Sequence, residues 1–144
     1  MRNLTRRRTA PRSAFAAIAS HVLPGWDISL IFVGPVQAQK LNEQLRGKKH
    51  IPNVLSYIVG EKSGEIIICP SEAAKQAPTY NLQPTTYNLL LFIHGALHIK
   101  GWAHGVRMEK CERNLLEAYG TAHSYRYRHR HVPSKNGRRR GGRG

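Results

Sequence analysis

Three histidines within residues 89–105 stand at a spacing that suits a metal ion. His94 and His98 are four residues apart, which places both imidazoles on one face of a helix. Gly101 lets the chain leave that helix, and a short turn can bring His104 back as a third nitrogen. Three neutral imidazoles with one open position are the layout of a catalytic zinc site. The spacing therefore predicts one Zn²⁺ ion held by His94, His98 and His104.

Two other interpretations of these histidines stay open. A pair of histidines four apart on an apolar helix is more often two ordinary side chains than a pair of ligands. The longer spacing, with Gly101 and His104, equals the metzincin protease signature HExxHxxGxxH, in which a glutamate follows the first histidine as general base. This chain has Gly95 at that position. A zinc protease is therefore a disfavoured alternative.

The positive charge of the chain lies at its two ends. The 144 residues include 23 Lys and Arg and eight acidic residues, a formal net charge of +15. Residues 1–12 and 121–144 hold clusters of basic residues, whereas every acidic residue lies between them. Clustered Lys and Arg bind polyphosphates by releasing counterions. The distribution predicts a nucleic-acid partner. An anionic membrane surface is the alternative, and it is disfavoured because the basic ends lack the leucine and phenylalanine that an amphipathic anchor would insert. No stretch approaches the ~18 apolar residues of a membrane span.

Tyrosines alternate with arginines where the C-terminal tail begins. Tyr125 and Tyr127 offer faces for base stacking between charges that can bind phosphates. The expected RNA-binding residues are Arg126, Arg128, Arg130, Arg138, Arg139 and Arg140. From Thr121 onward the chain has too little apolar surface to order itself, so residues 121–144 are expected to be disordered when free. A tail that serves only solubility is the alternative.

The periodicity of apolar residues predicts an α+β fold. Helices are predicted at residues 14–22, 35–46, 70–77, 86–100 and 106–119, and strands at 27–33, 52–59 and 65–69. The last two strands form an antiparallel hairpin, whereas strand–helix–strand steps make neighbouring strands parallel. We therefore expect a small mixed β-sheet flanked by helices. It forms one domain, residues 13–120, between a basic N-terminal arm, residues 1–12, and the tail.

Three side-chain sets complete these expectations. Val36, Leu41 and Leu45 are predicted to form the inward face of the second helix. The buried stripe of the last helix is predicted to consist of Met108, Cys111, Leu115 and Leu116. The two cysteines, Cys69 and Cys111, are isolated and suit neither a disulfide framework nor a CxxC metal site, which predicts a reducing, cytoplasmic compartment.

Three blocks of the sequence resemble, in order, the YbeY family of bacterial endoribonucleases that mature rRNA. The blocks are LNEQLRGKKHIPNVLSY at residues 41–57, GEIIICPSEAAKQA at 64–77 and HGALHIKGWAHG at 94–105. The last block is similar to the family's HGxLHxxGxDH signature. The resemblance implies a YbeY-like metal-hydrolase fold, zinc on the three histidines and single-strand-specific cleavage of RNA at the 3′ end of small-subunit rRNA. It also implies contact with the small ribosomal subunit and with a ribosome-assembly GTPase.

The resemblance also assigns catalytic residues. It maps the family's functional arginine onto Arg46. The predicted catalytic residues are therefore Arg46 and His94. Zinc lowers the pKa of a bound water toward ~7, and Arg46 can offer a bidentate fork to phosphate oxygens. Either that water or the ribose 2′-hydroxyl can then be the nucleophile. The alternative is a catalytically weak rRNA-binding assembly factor of the same fold, because Ala103 replaces the family's aspartate before the third histidine.

Overall fold

A computed structural model describes the backbone of residues 1–131 and the side chains of residues 1–120. The strands are β1 (Arg2–Asn3), β2 (Asp27–Phe32), β3 (Val54–Gly60) and β4 (Ser63–Ile68). The helices are α1 (Arg12–Val22), α2 (Pro35–Arg46), α3 (Pro70–Gln76), α4 (Pro84–Lys100) and α5 (Val106–His131), with a 3₁₀ helix at Ala77–Tyr80. No helix in this described part is both long and apolar enough to cross a membrane.

The four strands form one mixed sheet in the order β1-β2-β4-β3. β2 runs parallel to β1 and β4, with Leu30 opposite Ile66, and β3 runs antiparallel to β4, with Leu55 opposite Ile67. The expected small mixed sheet flanked by helices is confirmed. The pattern of residues 1–12 does not predict β1, in which Arg2 pairs with Ile31 at the edge of the sheet.

The sheet separates two hydrophobic layers of unequal size. Within the described residues, one face carries α2 alone, over a small cluster built from Val33, Ala38, Leu55, Ile67 and Cys69. The other face carries the larger core, which α1, α3, α4 and α5 share with Phe32, Ile66 and Ile68. α4 lies within this core and is apolar on nearly every side, which is the pattern of a buried helix. α4 is therefore the element that fixes where the histidines lie.

The predicted inward face of α2 is wrong in two of its three residues. Val36 is 70% exposed and Leu45 is 46% exposed, whereas Ala38 and Asn42 are buried. The small Ala38 lets the helix lie close to the sheet. Asn42 then donates from Nδ2 to the His50 carbonyl at 3.0 Å, which holds the loop that follows the helix. The rotation of α2 about its axis is therefore set by a polar contact and not by its most apolar stripe.

The predicted end of the last helix, at Tyr119, is also wrong, because α5 continues to His131. A glycine inside a helix costs only about 1 kcal/mol relative to alanine. Gly120 is buried, and a Cβ there would lie 3.1 Å from Leu116 Cδ1, so the bare backbone favours close packing. Met108 and Leu115 are buried as predicted, and Cys111 and Leu116 are partly buried. Residues 132–144, part of the tail predicted to be disordered, lie outside the described residues.

Candidate metal centre

The end of α4 and the turn after it bring the three histidines together. Gly101 ends the helix with φ at 111°, and its N–H bonds to the carbonyls of Leu97 and His98. This left-handed residue reverses the chain within one turn, as the glycine predicted. His104 follows in the short loop before α5 and is exposed, while His94 and His98 on α4 are half-buried.

The three imidazoles converge on one point. One ligand nitrogen from each ring lies within 4.8 Å of the other two. The ring centroids of His94, His98 and His104 are 4.4, 5.0 and 4.3 Å apart. The Nε2 atoms of His94 and His98 face each other at 3.0 Å. The predicted convergence of three nitrogens is therefore present.

The outer nitrogens of two rings show that these Nε2 atoms suit a cation. His94 Nδ1 lies 2.5 Å from Glu112 Oε2, and His98 Nδ1 lies 3.0 Å from the carbonyl oxygen of Trp102. A carboxylate and a carbonyl only accept hydrogen bonds, so each Nδ1 holds its proton and each Nε2 presents a lone pair. Two lone pairs at 3.0 Å repel each other unless a cation lies against both. The residues present therefore fit a metal ion.

The protonation of His98 also favours metal binding. Burial, and then the neighbouring His94, lower the pKa of His98 below its ordinary value of 6.5. The hydrogen bond from Nδ1 to Trp102 acts in the opposite direction and is the smaller influence. His98 is therefore neutral at neutral pH, which is the form that donates a lone pair to a metal.

An open cleft of about 260 Å³ begins at His94 and His104. Its other lining residues are Asn53, Val54, Tyr80, Tyr87, Leu90, Leu91, Gly105, Met108, Glu109 and Glu112. Tyr80 and Tyr87 stack with ring centroids 5.3 Å apart and form an aromatic wall. Gln76 Oε1 accepts from Asn53 Nδ2 at 2.6 Å and from the Tyr87 hydroxyl at 3.3 Å, which fixes that wall. Aromatic and aliphatic side chains thus line the cleft together with two imidazoles and the carboxylates of Glu109 and Glu112.

Arg46 does not line this cleft. It is exposed at the C-terminal end of α2, on the sheet face opposite the layer that contains α4. The structure thus brings together His94, His98 and His104 but not Arg46, whose catalytic role stays a prediction. The backbone at Arg126, Arg128 and Arg130 belongs to α5, and their side chains lie outside the described residues. Arg138, Arg139 and Arg140 lie wholly outside them.

Glu112 is the functional residue that sequence reasoning missed. Its side chain is only 13% exposed and accepts the Nδ1 proton of His94. Met108, Glu112 and Leu115 are spaced four and three residues apart, so Glu112 lies in the buried stripe of α5. A carboxylate within an apolar stripe is the signal that could have identified it. Ala103, by contrast, is exposed, and the imidazole of His104 has no hydrogen-bond partner among the described residues.

Comparison with known proteins places this geometry in a family. The family model described as endoribonuclease YbeY matches residues 5–120. The chain is similar to the endoribonuclease YbeY of Neisseria gonorrhoeae, with 32% identity over 80% of this chain and 76% of that protein. Its similarity to the relative from Neisseria meningitidis serogroup B is 34% identity over 64% of this chain and 59% of that protein.

A solved structure shows the same fold. It is the solution structure of TM1509 from Thermotoga maritima, with a TM-score of 0.60, 24% identity and 89% of each chain covered. The fold agrees over most of both chains, and the family model spans β2, β3, β4, α4 and the three histidines. This chain therefore belongs to the endoribonuclease YbeY family.

Proposed function

We propose that this chain is a zinc-dependent endoribonuclease that cleaves single-stranded RNA and matures the 3′ end of small-subunit rRNA. The observation that carries the proposal is the pair of Nε2 atoms, on His94 and His98, that face each other at 3.0 Å with both Nδ1 protons held outward. His104 supplies the third nitrogen from the loop. The family match supports RNA as the substrate, because the relatives are named endoribonucleases.

A divalent ion held by three imidazoles supplies a Lewis acid that activates water or polarises a phosphoryl oxygen. The chain's own residues prepare the site for that ion. Glu112 keeps the proton of His94 on Nδ1, and the Trp102 carbonyl does the same for His98. Both Nε2 atoms are thereby directed into the site before the metal ion binds. The two histidines are therefore already oriented for the ion, without further movement of α4.

The cleft beside the histidines suits a single strand of RNA. Unpaired bases bind proteins by stacking on aromatic rings, and such stacking tolerates any base. Tyr80 is 39% exposed and stacks on Tyr87, seven residues before His94 and so about 10 Å along α4. A base on this wall would leave its backbone beside the imidazoles. Duplex RNA keeps its bases stacked inside and cannot use the wall.

A specific observation favours the second candidate, a catalytically weak rRNA-binding assembly factor. No Lys or Arg is among the residues that line the cleft within the described part of the chain. Cleavage of a phosphodiester develops negative charge, which a neighbouring cation stabilises. Arg107 lies in the adjacent depression that shares His104, and its guanidinium stands 5.5 Å from the centroid of the Trp102 ring. Arg107 is therefore a cationic side chain beside the metal centre, although it does not line the cleft.

The zinc protease remains the least supported candidate. A Cβ added at Gly95 would lie 3.3 Å from both Ile66 Cγ2 and Ser56 Cβ, so position 95 faces the sheet. A glutamate there would enter the core, where an unpaired carboxylate is costly. We also propose a cytoplasmic location, in keeping with the free thiols of Cys69 and Cys111, and contact with the small ribosomal subunit and an assembly GTPase.

The function is tested with a single-stranded fragment of the small-subunit rRNA 3′ end and a duplex of the same sequence. We expect the zinc-loaded chain to cleave the single strand and to spare the duplex. Chelation and His98→Ala should each lower the cleavage rate by on the order of 100-fold or more, since loss of a group that only hydrogen-bonds a metal ligand already costs about 10–100-fold. His50→Ala removes an exposed imidazole outside the site and is the matched control.

Two outcomes contradict the proposal in different ways. Equal cleavage by wild type and His98→Ala would exclude the three-histidine site as the catalyst. Tight binding of the rRNA fragment with no cleavage, whether Zn²⁺, Mn²⁺ or Mg²⁺ is supplied, would favour the assembly factor instead.

A further inference from the structure

The side-chain amide of Asn53 is a polar group of the cleft that the metal centre does not use. Asn53 directly precedes β3, is half-buried and lines the cleft together with His94 and His104. Its backbone carbonyl accepts from the Cys69 N–H at 2.9 Å, which fixes the residue to the end of β4. The amide therefore starts from a backbone that the sheet holds in place.

Gln76 fixes the orientation of this amide. Asn53 Nδ2 donates to Gln76 Oε1 at 2.6 Å, and the same oxygen accepts from the Tyr87 hydroxyl at 3.3 Å. Rotation of the Asn53 side chain would break the shorter of these two bonds. Because Nδ2 is held by Gln76, the position of the other amide atom, Oδ1, is set before any ligand binds.

The Oδ1 atom of Asn53 is an open hydrogen-bond acceptor. It has no partner among the residues that the structure describes, since the one side-chain hydrogen bond of Asn53 is made by Nδ2. It is not enclosed by the protein either, because the enclosed side-chain oxygens that lack a partner belong to Thr9, Asn42, Thr86 and Asn88. A donor can therefore reach Oδ1 from outside the protein, where Asn53 lines the cleft.

The charge of the cleft favours a neutral donor over an anion at this position. The described lining includes the carboxylates of Glu109 and Glu112 and no Lys or Arg, so away from a metal ion it repels a phosphate. Glu112 is already engaged with His94. The amide oxygen of Asn53 is neutral and can accept from a hydroxyl without adding charge. The ribose 2′-hydroxyl is the donor that RNA has and DNA lacks.

Gln76 also places this acceptor beside the aromatic wall. Asn53 Nδ2 and the Tyr87 hydroxyl bond the same oxygen of Gln76, so the amide and the wall are neighbours. Tyr80 stacks on Tyr87 and is 39% exposed, which leaves its ring accessible to a base. In a nucleotide the ribose is bonded directly to the base. A base on the wall therefore brings its ribose toward Asn53.

We propose that Asn53 determines the specificity of the cleft for RNA, with Oδ1 accepting a hydrogen bond from the 2′-hydroxyl of the nucleotide whose base stacks on Tyr80. The aromatic wall tolerates any base, and the amide distinguishes the two kinds of sugar. The inference rests on the proposed function for its ligand. Its position rests on the cleft, the bond to Gln76 and the open Oδ1 atom.

The test measures how the full, zinc-loaded chain binds fluorescent oligouridylate and oligodeoxyuridylate. Binding is read by anisotropy, before cleavage is detectable on a gel. Asn53→Ala should weaken RNA binding about threefold to tenfold, the value of one hydrogen bond, and leave DNA binding unchanged. The matched control, Tyr80→Ala, removes a stacking surface of the same cleft. It should weaken both oligonucleotides about fivefold or more and leave the ratio of their affinities unchanged.

A change on the ligand tests the same contact without altering the protein. Oligouridylate with 2′-O-methyl groups keeps the oxygen and cannot donate, so the wild-type chain should bind it no more tightly than oligodeoxyuridylate. Binding of the methylated strand as tight as that of RNA would overturn the inference. Equal weakening of RNA and DNA by Asn53→Ala would also overturn it, because loss of the bond to Gln76 would then act only through the shape of the cleft. Since binding is measured apart from cleavage, a chain that prefers RNA through Asn53 but cleaves none would instead count against the proposed function.

Discussion

At the scale of single residues, the hydrogen bond from His94 to Glu112 decides which nitrogen faces the metal site. An imidazole carries one exchangeable proton when neutral, and Glu112 holds that proton on Nδ1. The carboxylate comes from α5, so the two long helices of the fold share the task of building the site. Ala103, where relatives are expected to carry aspartate, contributes nothing to His94, and Glu112 is the carboxylate that orients a ligand here.

Removing Glu112 should therefore weaken metal binding. We expect Glu112→Ala to lower the affinity for Zn²⁺ by about 10–100-fold, the range for partners of ligating histidines. Competition with a chromogenic chelator measures this affinity without any RNA. Glu109→Ala removes another carboxylate from the same helix and cleft, and it should have a much smaller effect. Equal weakening in the two variants would mean that general negative charge matters rather than the hydrogen bond.

At the scale of elements, β3 and β4 carry a cross-strand pair that titrates unusually. Tyr57 stands opposite Glu65 in the register, and its hydroxyl donates to the Glu65 carboxylate. Burial first, and then this hydrogen bond, raise the pKa of Tyr57 from 10.0 to about 12. Between these two values the unfolded chain releases the proton and the folded chain keeps it. The free energy of unfolding therefore falls as the pH rises from about 10 to about 12.

Tyr57→Phe should remove that part of the pH dependence. The variant should be about 0.5–1.5 kcal/mol less stable at neutral pH, because it cannot form the side-chain hydrogen bond. A spectrophotometric titration of the folded protein should show one fewer tyrosine that ionises near pH 12 than in the wild type. A titration curve unchanged by the substitution would rule out Tyr57 as the shifted group.

The elements also show why sequence predicts some parts of this molecule and misses others. β2 and α4 are predicted almost to the residue, because an apolar run or a helical pattern between Gly and Pro is a local signal. The three histidines are predicted for the same reason, since they lie within one helix and its turn. The rotation of α2 depends on a bond from Asn42 to the next loop, and the length of α5 depends on packing at Gly120. The apolar stripe of α5 marks Glu112 as a buried carboxylate, but its contact with His94 joins distant segments, and no local pattern identifies that partner.

At the scale of the whole molecule, positive charge flanks a nearly neutral domain along the sequence and should govern RNA affinity rather than cleavage. Deletion of residues 132–144 keeps all of α5 and removes five basic residues. We expect weaker RNA binding and a smaller salt slope, by about 0.7 for each phosphate that the shortened chain no longer binds, with the same melting temperature. The salt dependence of oligouridylate binding tests this. An unchanged slope would show that the last residues do not contact RNA.

The loop that carries His104 gives the metal centre two parts of different stiffness. His94 and His98 are fixed on a buried helix, whereas His104 lies between Gly101 and Gly105, both with positive φ, and no side chain orients its ring among the described residues. Part of the free energy of metal binding must therefore order this loop. A bound ion would join α4 to the loop that precedes α5, beside the cleft that His94 and His104 line. Metal supply would then set both the chemistry at the site and the shape that an RNA strand meets.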